Sequence, residues 1–498
     1  MPHENYTARV ATSSCSGGQR VATSTKLYAM PTPADEGFEY IDLFAGIGGF
    51  HAMLKHANGK CVYVSEIDDN ASATYFSNWV EPLSADDRPV LNRDITTAAP
   101  EDETVPIEVP AHDVLAAGFP CQPFSKSGAQ RGMDETRGTL FFNIARVLKE
   151  RRPAIVMLEN VRNIAGPRHR YEWLTIIRTL RELGYRVSDR PTVFSPHLLP
   201  PKRGGTPQIR DRVFILGTYI GADRVEQELA AGAAPDPVVK RAPVDDWTPD
   251  MWRAEWILDS DDSISNLGDY ELSEMEKTWV NAWDDLIHRF RAATGTKLPG
   301  FPLWSAEWRR ESTVSAEELD ALPAWKRKIV LKNIKFYEHH HALIDSWLAD
   351  HPEFADFPNS RKKLEWQARE LESLWNTVMH FRPSGIRAKP PTYLPALVAI
   401  TQTSIYGPRQ RRLTPHEAAR LQGLPRKFSF GIQRDAASYK QAGNGVAVGA
   451  AWHVFREHVM RDKADLPLSL VTAVERAELA PPVAVSAPPS LRPNSDSA

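Results

Sequence analysis

The chain is poor in cysteine, has no long apolar run and carries no excess of positive charge. Each shortage excludes something. Its 498 residues include three cysteines, Cys15, Cys61 and Cys121, odd in number, far apart and never in a CxxC pair. A disulfide framework or structural zinc site is therefore not expected. No stretch of about 18 apolar residues suggests a membrane span. The segment MPHENYTARVATSSCSGGQR lacks the basic flank and apolar core of a secretory signal. A cytoplasmic protein without membrane contact is expected. The GxGxxG dinucleotide fingerprint is missing too, and no repeat of fixed period supports a solenoid.

What remains is a hydrophobic fraction of 42% and a charged fraction of 25%, values of a globular protein long enough for several cores. The net charge of -3 hides a split along the chain. Between Asp245 and Glu276 there are eleven acidic residues against Arg253 alone, whereas Arg382 to Lys427 holds nine Lys or Arg against Glu417 alone. If a polyanion is bound, the second stretch is where it would be bound; the plainer alternative is two solvated faces. Composition and patterning divide the chain into a tail over 1–37, a first part over 38–220, a middle region over 221–394, a further part over 395–463 and a Pro/Ala-rich tail over 464–498.

The first part alternates short apolar runs (YIDLF, CVYVSE, DVLAAG, AIVMLEN, YRVSDRPTVF, RVFILGTYI) with helical stretches. That pattern predicts an α/β fold with a doubly wound, mostly parallel sheet. The middle region reads as mostly helical. In RKKLEWQARELESLWNTVMH, Leu364, Ala368, Leu371, Trp375 and Met379 recur at helical spacing and would share one buried face. The terminal block AGNGVAVGAAWHVFREHV reads as a buried strand or helix docking on the first part.

At the end of the first strand, AGIGGF places Gly46, Gly48 and Gly49 before an amphipathic helix, where backbone can approach a ligand closely. Glu66 closes the second strand, and a carboxylate there can accept from ribose hydroxyls. Asp94 follows and can accept from an adenine amine. A Gly turn alone is a tight turn; with these carboxylates it points to a nucleoside-bearing cofactor.

Cys121 stands in GFPCQPFSKSG at a strand's carboxyl end. A free cysteine is by default a small core hydrophobe, and one that attacks must have its thiolate favoured by nearby positive charge or a helix N-terminus. Glu159 and Asn160 end the next strand at the same sheet edge. A carboxylate there can cap a helix, or, with its pKa raised by burial, donate a proton to a ring nitrogen.

PCQP followed by ENV is specific. With DLFAGIGGF, RGTLFFNIARVL, PQIRDRVFILG, RRLTPHEAARLQGLP and QAGNGVAV in order, the chain resembles the DNA cytosine-5 methyltransferases of bacterial restriction-modification systems. The resemblance implies S-adenosylmethionine as cofactor, double-stranded DNA as substrate and a smaller target recognition domain inserted into the methyltransferase sheet. It implies that Cys121 attacks carbon 6 of a flipped cytosine and that Glu159 engages ring nitrogen 3. Arg210 would hold the base carbonyl, with Gln208 and Arg212 in support. The cofactor would be held by Phe44, Gly46, Gly48, Gly49, Glu66, Asp94, Pro120, Leu140 and Asn444. Gly445 stands where many members carry Ser.

For DNA, the expected contacts are Ser125, Lys126, Ser127 and Arg131 in the loop after Cys121, then Arg212, Arg387, Arg409 and Arg411. The acidic helical part of the insert reads as scaffold. No metal is expected: His339, His340 and His341 are consecutive, so on a helix they diverge by about 100° each. A monomer is expected, with any cognate restriction endonuclease acting separately. Two relatives remain as alternatives, a tRNA cytosine-5 methyltransferase, whose variable region is shorter as a rule, and a DNA-binding relative that has lost catalysis.

Overall fold

The computed structural model describes residues 37–120, 140–368, 370–397 and 403–481. Its main sheet is built from β1 (Phe38–Leu43), β2 (Gly59–Ser65), β3 (Val90–Asn92), β4 (Val114–Ala117), β5 (Ile155–Val161), β6 (Tyr185–Val187), β7 (Thr192–Phe194) and β9 (Arg212–Tyr219). The order is β3-β2-β1-β4-β5-β9-β6, with β7 also beside β9. The first five strands pair in parallel and β9 runs antiparallel to β5, β6 and β7. The short β8 (Gln208–Ile209) precedes β9. Strand order reverses between β1 and β4, the place where open α/β sheets leave a crevice at their carboxyl ends.

The apolar runs become strands because helices cover both faces. Tyr40, Ala116, Ile155 and Met157 join one core cluster, while their neighbours Ile41, Leu115, Val156 and Leu158 join the other. The covering helices include α1 (Gly49–His56), α2 (Asp69–Tyr75), α3 (Ile95–Ala98), α4 (Leu140–Arg151), α5 (Arg170–Glu182) and α6 (Ala222–Ala230). The run YRVSDRPTVF divides into β6 and β7.

The insert adds α7 (Glu274–Thr294), α8 (Ala316–Asp320) and α9 (Ala324–Asp350) around a second sheet. That sheet comprises β10 (Leu303–Trp304), β11 (Lys363–Trp366), β12 (Val378–Arg382), β13 (Gly385–Lys389), β15 (Ile405–Tyr406) and β16 (Arg411–Arg412), in the order β10-β11-β13-β12-β15-β16. Its last two strands lie beyond residue 394, the boundary drawn from composition. Between them and β13, β14 (Leu394–Pro395) leaves the sheet and pairs with β8.

The helix expected over RKKLEWQARELESLWNTVMH is not there: β11 opens this stretch and β12 begins at Val378. The burial expectation holds nonetheless, since Leu364, Ala368 and Met379 are core and Leu371 and Trp375 pack on it. Leu364 and Trp366, like Met379 and Phe381, alternate with polar neighbours, and sheet pairing outweighed the coincidental helical spacing.

The chain then returns to the first core through α10 (Pro415–Leu421), α11 (Asp435–Asn444) and α12 (Val448–Asp462). α12 lies so close to the loop before β8 that a Cβ on Gly449 would sit 1.8 Å from the carbonyl oxygen of Gly204. The C-terminal tail expected from 464 begins later: α13 (Leu468–Arg476) buries Leu470 and Val474 fully in the first core. Two core-facing apolar residues four apart fix it there despite the Pro-rich sequence that follows. No described helix is long and apolar enough to cross a membrane.

Candidate active site

The carboxyl ends of β1, β2, β4 and β5 open into one cavity of about 410 Å³. Phe44, Gly46, Glu66, Asp94, Pro120, Leu140 and Asn444 line it, together with Glu159, Arg210 and Arg212. Residues expected to hold a cofactor and residues expected to act on a base thus face the same space.

Glu66 is fixed by backbone donors, with Gly46 N at 2.7 Å from Oε2 and Asp68 N at 2.8 Å from Oε1. Gly46 makes this possible, turning the chain at φ 55° with open space where a side chain would be. Asp94 caps α3, taking both of its bonds, from Thr96 N and Oγ1, on Oδ1. Oδ2 takes neither of these bonds, and Asp94 lines the cavity as an acceptor. This donor set fits an adenosine: carboxylates for hydroxyl and amine groups, and apolar Phe44, Ile67 and Leu140 for a flat ring.

Gly48 and Gly49 do not line the cavity. A Cβ on Gly48 would meet Trp79 Nε1 at 2.2 Å, and one on Gly49 would meet Val446 O at 2.8 Å. These glycines admit close packing: Trp79 donates to Ile47 O at 2.9 Å, and α11 and α12 seat against the turn.

At the other end of the cavity Glu159 is buried, and Arg212 Nε lies 2.9 Å from its Oε1. Burial raises the carboxyl pKa, a shift that the nearby Arg212 and Arg210 oppose without cancelling. Asn160, which also lines the cavity, donates to Phe119 O at 2.9 Å, tying β5 to the chain that leads to Pro120.

Arg210 is not placed as expected. Its guanidinium donates to Leu397 O at 2.9 Å and to Gly443 O and Gly445 O, each at 2.8 Å, and burial lowers its pKa to about 9. With its terminal nitrogens committed to three carbonyls, Arg210 fastens both chain halves together, while Arg212 approaches Glu159. Gln208 assists by donating to Leu421 O and accepting from Leu397 N.

Cys121, with Ser125, Lys126, Ser127 and Arg131, lies outside the described residues. Of the other expected DNA contacts, Arg411 is excluded from that role: it is fully buried and bonded to Glu417 and Asp261. Arg409 is turned inward to Asp259 O and Asp261. Arg412 pairs with Glu276 and Arg420 with Asp259, so much of the basic stretch neutralises the acidic one. Arg387 instead sits on β13 against Glu365. His340 stacks between Phe290 and Phe336, and His339 bonds Lys335 O within its own helix.

Several lining residues were not anticipated. Ile67 is 68% exposed beside Glu66; Lys440 bridges to Asp68 at 3.1 Å; Arg93 donates to the carbonyls of Glu66 and Ile67. The sequence signal was only an apolar residue, Ile67, directly after the strand-ending carboxylate.

The family model described as C-5 cytosine-specific DNA methylase matches residues 38–460. Type II methyltransferase M.AluI of Cellulosimicrobium cellulans is 46% identical over 500 residues, covering 88% of this chain and 94% of that relative. Type II methyltransferase M.BanI of Aneurinibacillus aneurinilyticus is 31% identical over 441 residues, covering 82% and 93%. M.HhaI of Haemophilus parahaemolyticus is 37% identical over 180 residues, 36% of this chain and 49% of that protein.

Proposed function

The chain belongs to the C-5 cytosine-specific DNA methylase family, and from that premise we propose how its cavity works. It is a DNA (cytosine-5)-methyltransferase, methylating carbon 5 of cytosine within a specific sequence as the protective methylase of a restriction-modification system. The observation that carries the mechanism is one cavity holding Glu66 and Asp94 at one end and the Glu159–Arg212 pair at the other.

In our reading Glu66 accepts from the ribose, Asp94 from the adenine amine, and Phe44, Ile67 and Leu140 pack on the rings of S-adenosylmethionine. That group supplies an electrophilic methyl. Cys121 follows directly on Pro120, which lines the cavity. Its thiolate adds to carbon 6 of cytosine, making carbon 5 a nucleophile; carbon 5 alone is too weak. Glu159, whose protonated form burial favours, donates to ring nitrogen 3 as charge develops there. Arg212 orients Glu159 and offers its remaining donors to the base carbonyl, the role first expected of Arg210. Its charge also favours the thiolate. Once carbon 5 carries the methyl, its proton passes to a water molecule acting as base, Cys121 leaves carbon 6 as the thiolate, and Glu159 takes back the proton from nitrogen 3.

The target atom is hidden in a stacked duplex, so the base is flipped out at a cost of a few kcal/mol. The insert with its second sheet is the target recognition domain in this reading, and the enzyme acts as a monomer, independently of any cognate endonuclease. The test is incubation with labelled S-adenosylmethionine and separate DNA and RNA substrates, with bisulfite mapping of the product. Label at carbon 5 in duplex DNA is expected; label confined to RNA overturns the substrate. Trapping on DNA carrying 5-fluorocytosine tests the nucleophile, since an adduct persisting in Cys121→Ser excludes Cys121.

A further inference from the structure

The second sheet has one apolar and one polar face. Leu364, Trp366, Met379, Phe381, Ile386 and Ala388 point into the insert's core. By alternation, Glu365, His380, Arg382, Arg387 and Lys389 share the opposite face. Register makes them neighbours: His380 pairs with Arg387 across β12 and β13, and Arg387 with Glu365 across β13 and β11.

This face is electrostatically incomplete. Arg382, Arg387 and Lys389 are half-buried, and the pKa values of Arg382 and Lys389 are lowered, first by burial and then by Arg387. His380, bonded to Ser404 Oγ at 2.7 Å, is held neutral by burial and by these three cations. Among the described residues, Glu365 is the carboxylate that acts on Arg382 and Lys389. The acidic run does not compensate them, because Asp259, Asp261 and Glu276 pair with Arg409, Arg411, Arg412 and Arg420. Like charges held together and partly out of water are stabilised by a polyanion, and the chain's family supplies one.

Position agrees with charge. Val378, on the same face as His380 and Arg382, belongs to the catalytic core cluster, so this face adjoins the catalytic part. After β13 the chain forms β14, paired to β8, and β8 leads directly to Arg210 and Arg212. Arg387 meets Glu365 through Nε at 2.5 Å. That contact sets the plane of the guanidinium and uses neither terminal nitrogen, which suits a bidentate acceptor such as guanine O6 and N7.

We propose that this face grips the duplex, with Arg387, oriented by Glu365, reading a guanine edge in the major groove and Arg382 and Lys389 seated on phosphates. The inference rests on the DNA-methylating reading above. The test uses the full-length enzyme, a duplex carrying the bisulfite-mapped site and a duplex lacking it, with binding measured across salt concentrations. Arg382→Ala and Lys389→Ala are expected to weaken both duplexes alike, each lowering the salt slope by about 1. Arg387→Ala is expected to weaken the site duplex about tenfold to a hundredfold and leave the other unchanged, with no rescue by Arg387→Lys. Glu365→Gln should reproduce part of that selective loss. Titration with S-adenosylmethionine alone should match wild type in every variant, separating these losses from misfolding. Undiminished site preference in Arg387→Ala, or unchanged salt slopes in both phosphate variants, overturns the proposal. A wild type that methylates RNA and no DNA sinks the functional reading instead, and unchanged salt slopes then still overturn the face.

Discussion

Arg212 and Arg210 stand two positions apart and do different work: one lies 2.9 Å from Glu159, the other donates to three main-chain carbonyls. Arg212→Ala is expected to lower kcat by about 10²- to 10³-fold, the scale for losing a positioned donor, with the melting temperature nearly unchanged. Arg210→Ala should instead cost about 3 kcal/mol of stability, because buried carbonyls lose charged donors. Thermal melts beside single-turnover methylation separate the two; equal melting losses would contradict the division.

Glu159 sets a pH limb. Burial raises its pKa, so the protonated form persists above the ordinary carboxyl range and is lost as pH rises through the raised value. Methylation that needs this proton falls over the same interval. Glu159→Gln is expected to be slower by about 10²- to 10⁴-fold and to lack that falling limb. A rate-against-pH profile of both proteins checks it.

Acid should weaken the fold earlier than carboxylate titration alone would. Burial lowers the pKa of His51, His380 and His458 to about 3, and that of His112, His197 and His453 to about 4. Below about pH 6.5 the unfolded chain binds protons at these imidazoles and the fold does not. Stability is therefore full above that pH and declines toward pH 4, by at most about 1.4 kcal/mol per pH unit for each fully neutral imidazole. Melting curves at pH 8, 6.5 and 5.5 should show the decline beginning below 6.5, and His458→Gln, if folded, should flatten it.

Gly48→Ala tests the turn. At φ 85° the new methyl is strained, and Trp79 Nε1 lies 2.2 Å from its position. A loss of about 2–4 kcal/mol is expected, with weaker S-adenosylmethionine binding because the same turn supplies Gly46 N to Glu66. Calorimetric titration against wild type measures this.

Much of the site was legible because catalytic chemistry at strand ends leaves short, ordered marks. Glu66, Asp94 and Glu159 are polar residues closing or following apolar runs, and the sheet brings them to one cavity. Gly48 and Gly49 stand against Trp79 and Val446, a packing role the sequence did not reveal because packing and ligand approach demand the same residue type. Arg210 and Arg212 could not be sorted, since which guanidinium is taken up by main-chain carbonyls depends on Leu397, Gly443 and Gly445, far away in the chain. Arg411 looked like a phosphate contact because a charge run does not reveal a partner such as Asp261, 150 positions away. Leu364 and Met379 were right as core and wrong as helix, because burial follows composition while strand pairing follows tertiary context.

Phe44 and Asn444 line one cavity from opposite ends of the chain, and α12 must then seat Gly449 on Gly204 to hold the last wall in place. A ribosome can therefore synthesise both sheets before any methyl-donor site exists. A chain that ends before Asn444 lacks one wall of that cavity, so in the reading above methyl-donor binding waits for the last helices to be made.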